Sequence, residues 1–137
     1  MQIRSYEEAD EGQVVTLWRE AFPDTPAHND PVTDIRNKLN IQRELFIVAE
    51  HEYRIVGTAM AGFDGHRGWV YYVAVSKSQR RTGIGRALMS EVEARLKALG
   101  CPKLNLQVRG SNREVVEFYR ALGYQVEDRI SLAKHLH

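Results

Sequence analysis

Gln79-Arg80-Arg81-Thr82-Gly83-Ile84-Gly85-Arg86-Ala87-Leu88 follows the apolar run Val70-Tyr71-Tyr72-Val73-Ala74-Val75. It opens a segment in which Ile84, Leu88, Val92, Leu96 and Leu99 recur at helical spacing. The order is therefore strand, basic glycine-containing loop, helix. A glycine has no Cβ, so a ligand can come close to the backbone there. The N–H groups at a helix start lack intrahelical acceptors and favour anions. Lys77, Arg80, Arg81 and Arg86 place positive charge around them. The stretch reads as a pyrophosphate cradle.

Two common cradles fit it poorly. A Walker A loop needs Lys-Ser/Thr after its last glycine, and Arg86-Ala87 stands there. A dinucleotide fingerprint needs a third small residue where Leu88 stands, a turn directly after the strand, and an acid at the end of the next strand. Here Ser76 to Thr82 intervenes, the next strand candidate ends in Arg109, and no Asp occurs between Asp64 and Asp128.

Arg80-Arg81-Thr82-Gly83-Ile84-Gly85 matches the R-x-x-G-x-G signature of the GNAT superfamily of N-acetyltransferases. A second stretch, Asn112-Arg113-Glu114-Val115-Val116-Glu117-Phe118-Tyr119-Arg120-Ala121-Leu122-Gly123-Tyr124, resembles the family's N-x-x-A-x-x-F-Y-x-x-x-G-F/Y motif, departing in Val115 for the usual Ala. The resemblance covers almost the whole chain. Asn29-Asp30-Pro31, Phe63-Asp64-Gly65-His66-Arg67-Gly68 and Gly100-Cys101-Pro102-Lys103 look like the small bacterial YpeA-type acetyltransferases within that superfamily.

The chain has 137 residues, which by length is a single domain, 1–137, here a GNAT domain by resemblance. A hydrophobic share of 43% is ordinary for a globular protein. A formal charge of +1 argues against a general nucleic-acid binder. One cysteine rules out an intrachain disulfide framework and a cysteine-rich metal site. No apolar run reaches transmembrane length, and Met1-Gln2-Ile3-Arg4-Ser5-Tyr6 has no signal-peptide core. The expectation is a cytoplasmic protein that engages neither membrane nor nucleic acid.

Apolar spacing and turn residues predict strands at Ile3–Tyr6, Glu44–Glu50, Arg54–Gly62, Trp69–Val75 and Lys103–Val108. They predict helices at Glu7–Phe22, from Pro31 to about Ile41 with Asp30 as N-cap, from Thr82 to a Gly100 cap, and after a Ser111-x-x-Glu114 capping box. Tyr124–Glu127 and Ile130–Leu136 read as a final hairpin. The order β-α-α-β-β-β-α-β-α-β-β is an α/β chain. By resemblance it is the GNAT acyl-CoA N-acyltransferase fold, a mixed sheet covered on both faces. The strands ending near Val75 and starting near Lys103 are then expected to splay and admit coenzyme A.

The resemblance also implies a chemistry: attack of a neutral amine on the thioester of acetyl-CoA, in a ternary complex, with no metal. The catalytic residues implied are Val73 and Tyr119. The Val73 backbone N–H would face the thioester carbonyl, and Val75 would pair the pantetheine amides as an added strand. Both side chains can still pack in the sheet. Tyr119 holds the general-acid position, although its spacing alone makes it a buried aromatic beside Phe118. Arg80, Arg81, Thr82, Gly83, Ile84, Gly85 and Arg86 would bind the pyrophosphate or the ribose 3′-phosphate. Asn112 would add a contact to coenzyme A, or simply start its helix.

Many relatives carry a Glu in the fourth strand, and this one has none. Glu50, Asp64, His66 and a water held by Tyr71 or Tyr72 remain as bases, each also readable as strand end, turn or surface chemistry. His28, Asn29 and Asp30 fall in the family's acceptor-side loop, or are plain turn and cap residues. Cys101 reads as an inert thiol. The implied acceptor is a primary amine of a small molecule, peptide or protein. Relatives are often homodimers, so a homodimer is a possible assembly. The alternative function is an acyl-CoA-binding sensor or interaction module with little catalysis. A nucleotide-binding domain stands third.

Overall fold

The computed structural model of the protein describes residues 1–24 and 30–136. These residues form two compact units, Met1–Leu106 and Gln107–His137.

The first unit is built on two strands that are apolar along most of their length. Phe46–His51 (β2) and Arg54–Phe63 (β3) are buried on both faces, as a strand must be when helices lie above and below it. Gln2–Ser5 (β1) and Gly68–Val75 (β4) flank them antiparallel, and Leu104–Asn105 (β5) adds a short parallel edge to β4. The spatial order is β1-β2-β3-β4-β5.

Helices Glu11–Ala21 (α1) and Pro31–Lys38 (α2) cover one face. Val14, Val15, Leu17, Trp18 and Ile35 form a core there with Tyr6, Phe46, Val48, Ile55, Met60 and Ala74. Ile84–Ala98 (α3) covers the other, burying Ile84, Leu88, Met89, Val92 and Leu96. A Cβ added at Gly57 would lie 2.9 Å from Leu88 Cδ1 and 3.0 Å from Ile84 Cγ2, so the missing side chain lets α3 settle on β3.

Where the elements start and stop follows local chemistry. α1 begins later than its apolar pattern because Glu7 and Asp10 close a capping box around the 3₁₀ turn Glu8–Asp10. Asp30 caps α2 by accepting from the Thr33 N–H, with Pro31 at the first helical position. Gly100 takes the left-handed cap after α3 at φ 83°. β5 is confined to two residues, far shorter than Lys103–Val108.

The second unit carries Arg113–Ala121 (α4). Its cap is Asn112, one residue beyond the expected Ser111: the Asn112 side chain accepts from the Val115 N–H. The hairpin expected at Tyr124–Glu127 and Ile130–Leu136 does not form a ladder; residues 124–136 contain no strand. Val126, Ile130, Leu132 and Leu136 are exposed there, so neither face of the segment gains the burial that strand pairing needs.

Candidate functional site

β4 is irregular where the chemistry was expected. Thr58 of β3 pairs with Ala74, but Met60 pairs with Tyr71. One residue of β3, Ala59, therefore faces two of β4, Tyr72 and Val73, which is a bulge. Tyr72 sits in the left-handed region at φ 53°, a conformation that a bulky side chain rarely adopts. Val73, half-buried, falls outside the regular register. Val75 regains pairing, with Gly57.

The other edge of β4 is equally distinctive. β5 pairs only with Gly68 and Trp69 at its start. From Val70 to Val75 that edge carries no ladder among the described residues, so its backbone amides can receive an extended ligand.

The basic loop leads from β4 into α3 by a 3₁₀ turn at Lys77–Gln79. Arg81 is left-handed at φ 64° and Gly83 at φ 89°. Thr82 braces the loop by donating from Oγ1 to the Gln79 carbonyl at 2.5 Å. Gly83 is the N-cap of α3, with no side chain satisfying the first N–H groups. A Cβ at Gly83 would meet no atom within 4 Å. The helix start therefore opens onto free space, and Arg80, Arg81 and Arg86 beside it are exposed. Its free N–H groups, local positive field and absent side chain together suit an anion of phosphate type.

In the second unit, Asn112 is occupied in capping α4. Tyr119 is buried at 7% exposure, edge-on to Phe118 and Tyr124. Burial pushes its phenol up to about 12.

The expected bases divide. Glu50 accepts from Arg4 at 2.7 Å, in an ion-pair cluster that also holds Asp10. Asp64 caps a turn, accepting the N–H groups of His66 and Arg67 at 2.8 Å each. His66 is exposed in that turn and Tyr71 is exposed on its strand. Tyr72 is different. Its ring stacks on Trp18 with centroids 3.7 Å apart, and its hydroxyl donates to Asp34 at 2.5 Å. Burial, followed by the Asp34 hydrogen bond, drives its phenol far above the ordinary range. Asp34, Thr58 and Trp18 were absent from the expected site; nothing in their local sequence marks them. Of the acceptor-side candidates, Asp30 caps α2, while His28 and Asn29 lie outside the described residues.

A β-bulge beside an open strand edge, followed by an anion-receptive helix start, forms a site suited to an extended ligand that carries phosphate. The acetyltransferase (GNAT) family profile matches residues 12–124, and the chain belongs to that family. It is an acetyltransferase. An acetyltransferase of Yersinia enterocolitica is 45% identical over 136 residues, covering 99% of this chain and 96% of its own. Among solved structures, AAC(6′)-Iy in complex with the bisubstrate analogue CoA-S-monomethyl-acetylneamine superposes with a TM-score of 0.83 at 16% identity, covering 99% of this chain and 98% of its own. The ribosomal-protein-S18-alanine N-acetyltransferase of Escherichia coli does so with 0.74 at 24% identity, over 89% and 76%. No helix among the described residues is long and apolar enough to cross a membrane.

Proposed function

We propose that the chain, acting as one catalytic domain, transfers an acetyl group from acetyl-CoA to a primary amine of a small molecule, peptide or protein, within a ternary complex. The observation that carries this reading is the β4 bulge at Tyr72–Val73 on a strand whose outer edge is open. Acetyl-CoA supplies an activated thioester. The N–H groups at Gly83, Ile84 and Gly85, with Arg80, Arg81, Thr82 and Arg86, hold its phosphates; Val75 pairs its amides; Asn112 adds a contact.

The Val73 N–H, released from the regular ladder by the bulge, holds the oxygen on which charge develops. A fixed donor of this kind contributes roughly 100- to 1,000-fold in rate. Tyr119 carries the proton for the departing thiolate. Its phenol, raised to about 12, stays protonated across the physiological range. It therefore serves as a hydrogen-bond donor that yields its proton late. β4 offers no carboxylate, so the acceptor reacts through its neutral fraction; as the C–S bond breaks, its nitrogen releases one proton to water, and the Tyr119 phenolate takes one back from water.

The test is release of free CoA from acetyl-CoA across a panel of amino acids, polyamines, aminoglycosides and N-terminal peptides. Turnover with one of them supports the transfer. Tight acetyl-CoA binding with no turnover on any of them would instead favour a sensor module.

A further inference from the structure

The residue before the proposed oxyanion donor is held at four points. Tyr72 stacks on Trp18 at 3.7 Å and meets Phe22 edge-on at 5.7 Å. Its hydroxyl donates to Asp34 Oδ2 at 2.5 Å. Its carbonyl accepts from Thr58 Oγ1 at 2.8 Å. That same Thr58 oxygen accepts from the Trp18 indole Nε1 at 2.8 Å.

Thr58 is fully buried, on the strand facing the bulge. Its one hydroxyl thus joins the aromatic stack to the bulged backbone and uses its proton and a lone pair in doing so. Tyr72 is held at φ 53°, in a region that bulky residues leave unless their surroundings over-determine them. The network supplies that constraint: ring, hydroxyl and carbonyl are each fixed by a different element, α1, α2 and β3.

We propose that Asp34 and Thr58 are positioning residues that lock Tyr72 in its left-handed conformation, so that the next amide, that of Val73, stays aimed at the acetyl carbonyl. This rests on the role given to Val73 above. Neither residue touches the reacting atoms in this scheme; each acts through Tyr72. Loosening the lock lets Tyr72 relax toward an extended conformation and swings the following peptide plane. A displacement of about 1 Å at a catalytic group is enough to cost on the order of 100-fold in rate.

The experiment is isotope-edited infrared spectroscopy of [1-¹³C]acetyl-CoA bound to the protein, which needs no acceptor. The wild type is expected to lower the thioester carbonyl stretch relative to free acetyl-CoA and to narrow it. Thr58→Val keeps the shape but neither accepts nor donates; Asp34→Ala releases the Tyr72 hydroxyl. Both should return the band toward its free position and breadth, while affinity for CoA lacking the acetyl group changes less than about threefold. With a working acceptor, kcat should fall about 10- to 100-fold with KM for acetyl-CoA nearly constant. Thr58→Ser should recover most of both readouts. If Thr58→Val does not fold, Tyr72→Phe, which removes the donor to Asp34, and Asp34→Ala carry the same comparison from less buried positions.

A wild-type red shift that survives in the folded lock variants would overturn the lock and leave the Val73 donor standing. A bound wild type with no red shift would overturn the donor itself, and the lock with it.

Discussion

Replacing Gly83 with Val separates the fold's use of this residue from the ligand's. Gly83 sits at φ 89° and ψ 5°, so a branched side chain there is strained by roughly 2 kcal/mol. The ideal Cβ meets nothing within 4 Å, so the Cβ itself adds no clash to that strain. For 137 residues the unfolding entropy is about 0.3 kcal/mol per kelvin. The free variant should thus melt about 7 °C below the wild type. Acetyl-CoA at 100 times its Kd adds about 2.7 kcal/mol to the wild type, a rise of about 9 °C. If the side chain fills the space the phosphates need and weakens binding about 100-fold, the same concentration adds only about 0.4 kcal/mol, or little more than 1 °C. Two thermal scans of each protein, with and without acetyl-CoA, measure both effects. The reasoning is refuted if folded Gly83→Val keeps the full ligand-induced rise, because the helix start would then not hold the phosphates.

Tyr119→Phe keeps the buried ring, so acetyl-CoA affinity should hold while kcat drops about 100-fold, read by steady-state kinetics where chemistry limits turnover. The wild-type pH–rate profile should rise with deprotonation of the acceptor and show no descending limb below about pH 11, since burial holds the Tyr119 phenol near 12. Arg80→Ala and Arg86→Ala should each weaken CoA binding by an amount that shrinks as salt is raised; calorimetry at two ionic strengths giving wild-type affinity would assign that arginine to solvent. Arg4→Met strands the Asp10 carboxylate, 8% exposed, and should cost about 3 kcal/mol in chemical denaturation at neutral pH. Burial raises the Asp10 carboxyl, but hydrogen bonds from Arg4 and the Glu7 N–H outweigh this and hold it below the ordinary range. The wild type therefore keeps that contribution above the unfolded-state value and loses it as pH falls through the folded one, so its gap from Arg4→Met should narrow in acid.

The elements that carry the site were legible wherever one short segment decides its own conformation. The α3 face shows at helical spacing, Asp30-Pro31 starts α2 and Gly100 ends α3, each through chemistry within a few residues. In the terminal segment the pattern misleads, because strand patterning states only what a segment could bury. Ile130, Leu132 and Leu136 fall at even spacings, on one face of a strand, yet they stay exposed. Pairing needs a partner edge, and no local pattern supplies one.

The same limit explains the reading of Tyr71-Tyr72. Adjacent residues of a regular strand point to opposite faces. Tyr71 stands opposite Met60, which lies in the core shared with α1, so regular alternation would turn Tyr72 toward α3. The one-residue bulge reverses that parity and brings Tyr72 onto Trp18 instead. Its partners Asp34, Thr58 and Trp18 lie 38, 14 and 54 positions away, counting from Tyr72 to each, and arrive only once α1, α2 and β3 have packed. Tyr72 could therefore be suspected from its motif context as the holder of a water. Its left-handed backbone and its four-point fixation are properties of the assembled sheet, and the bulge that makes them is also what takes Val73 out of the regular ladder.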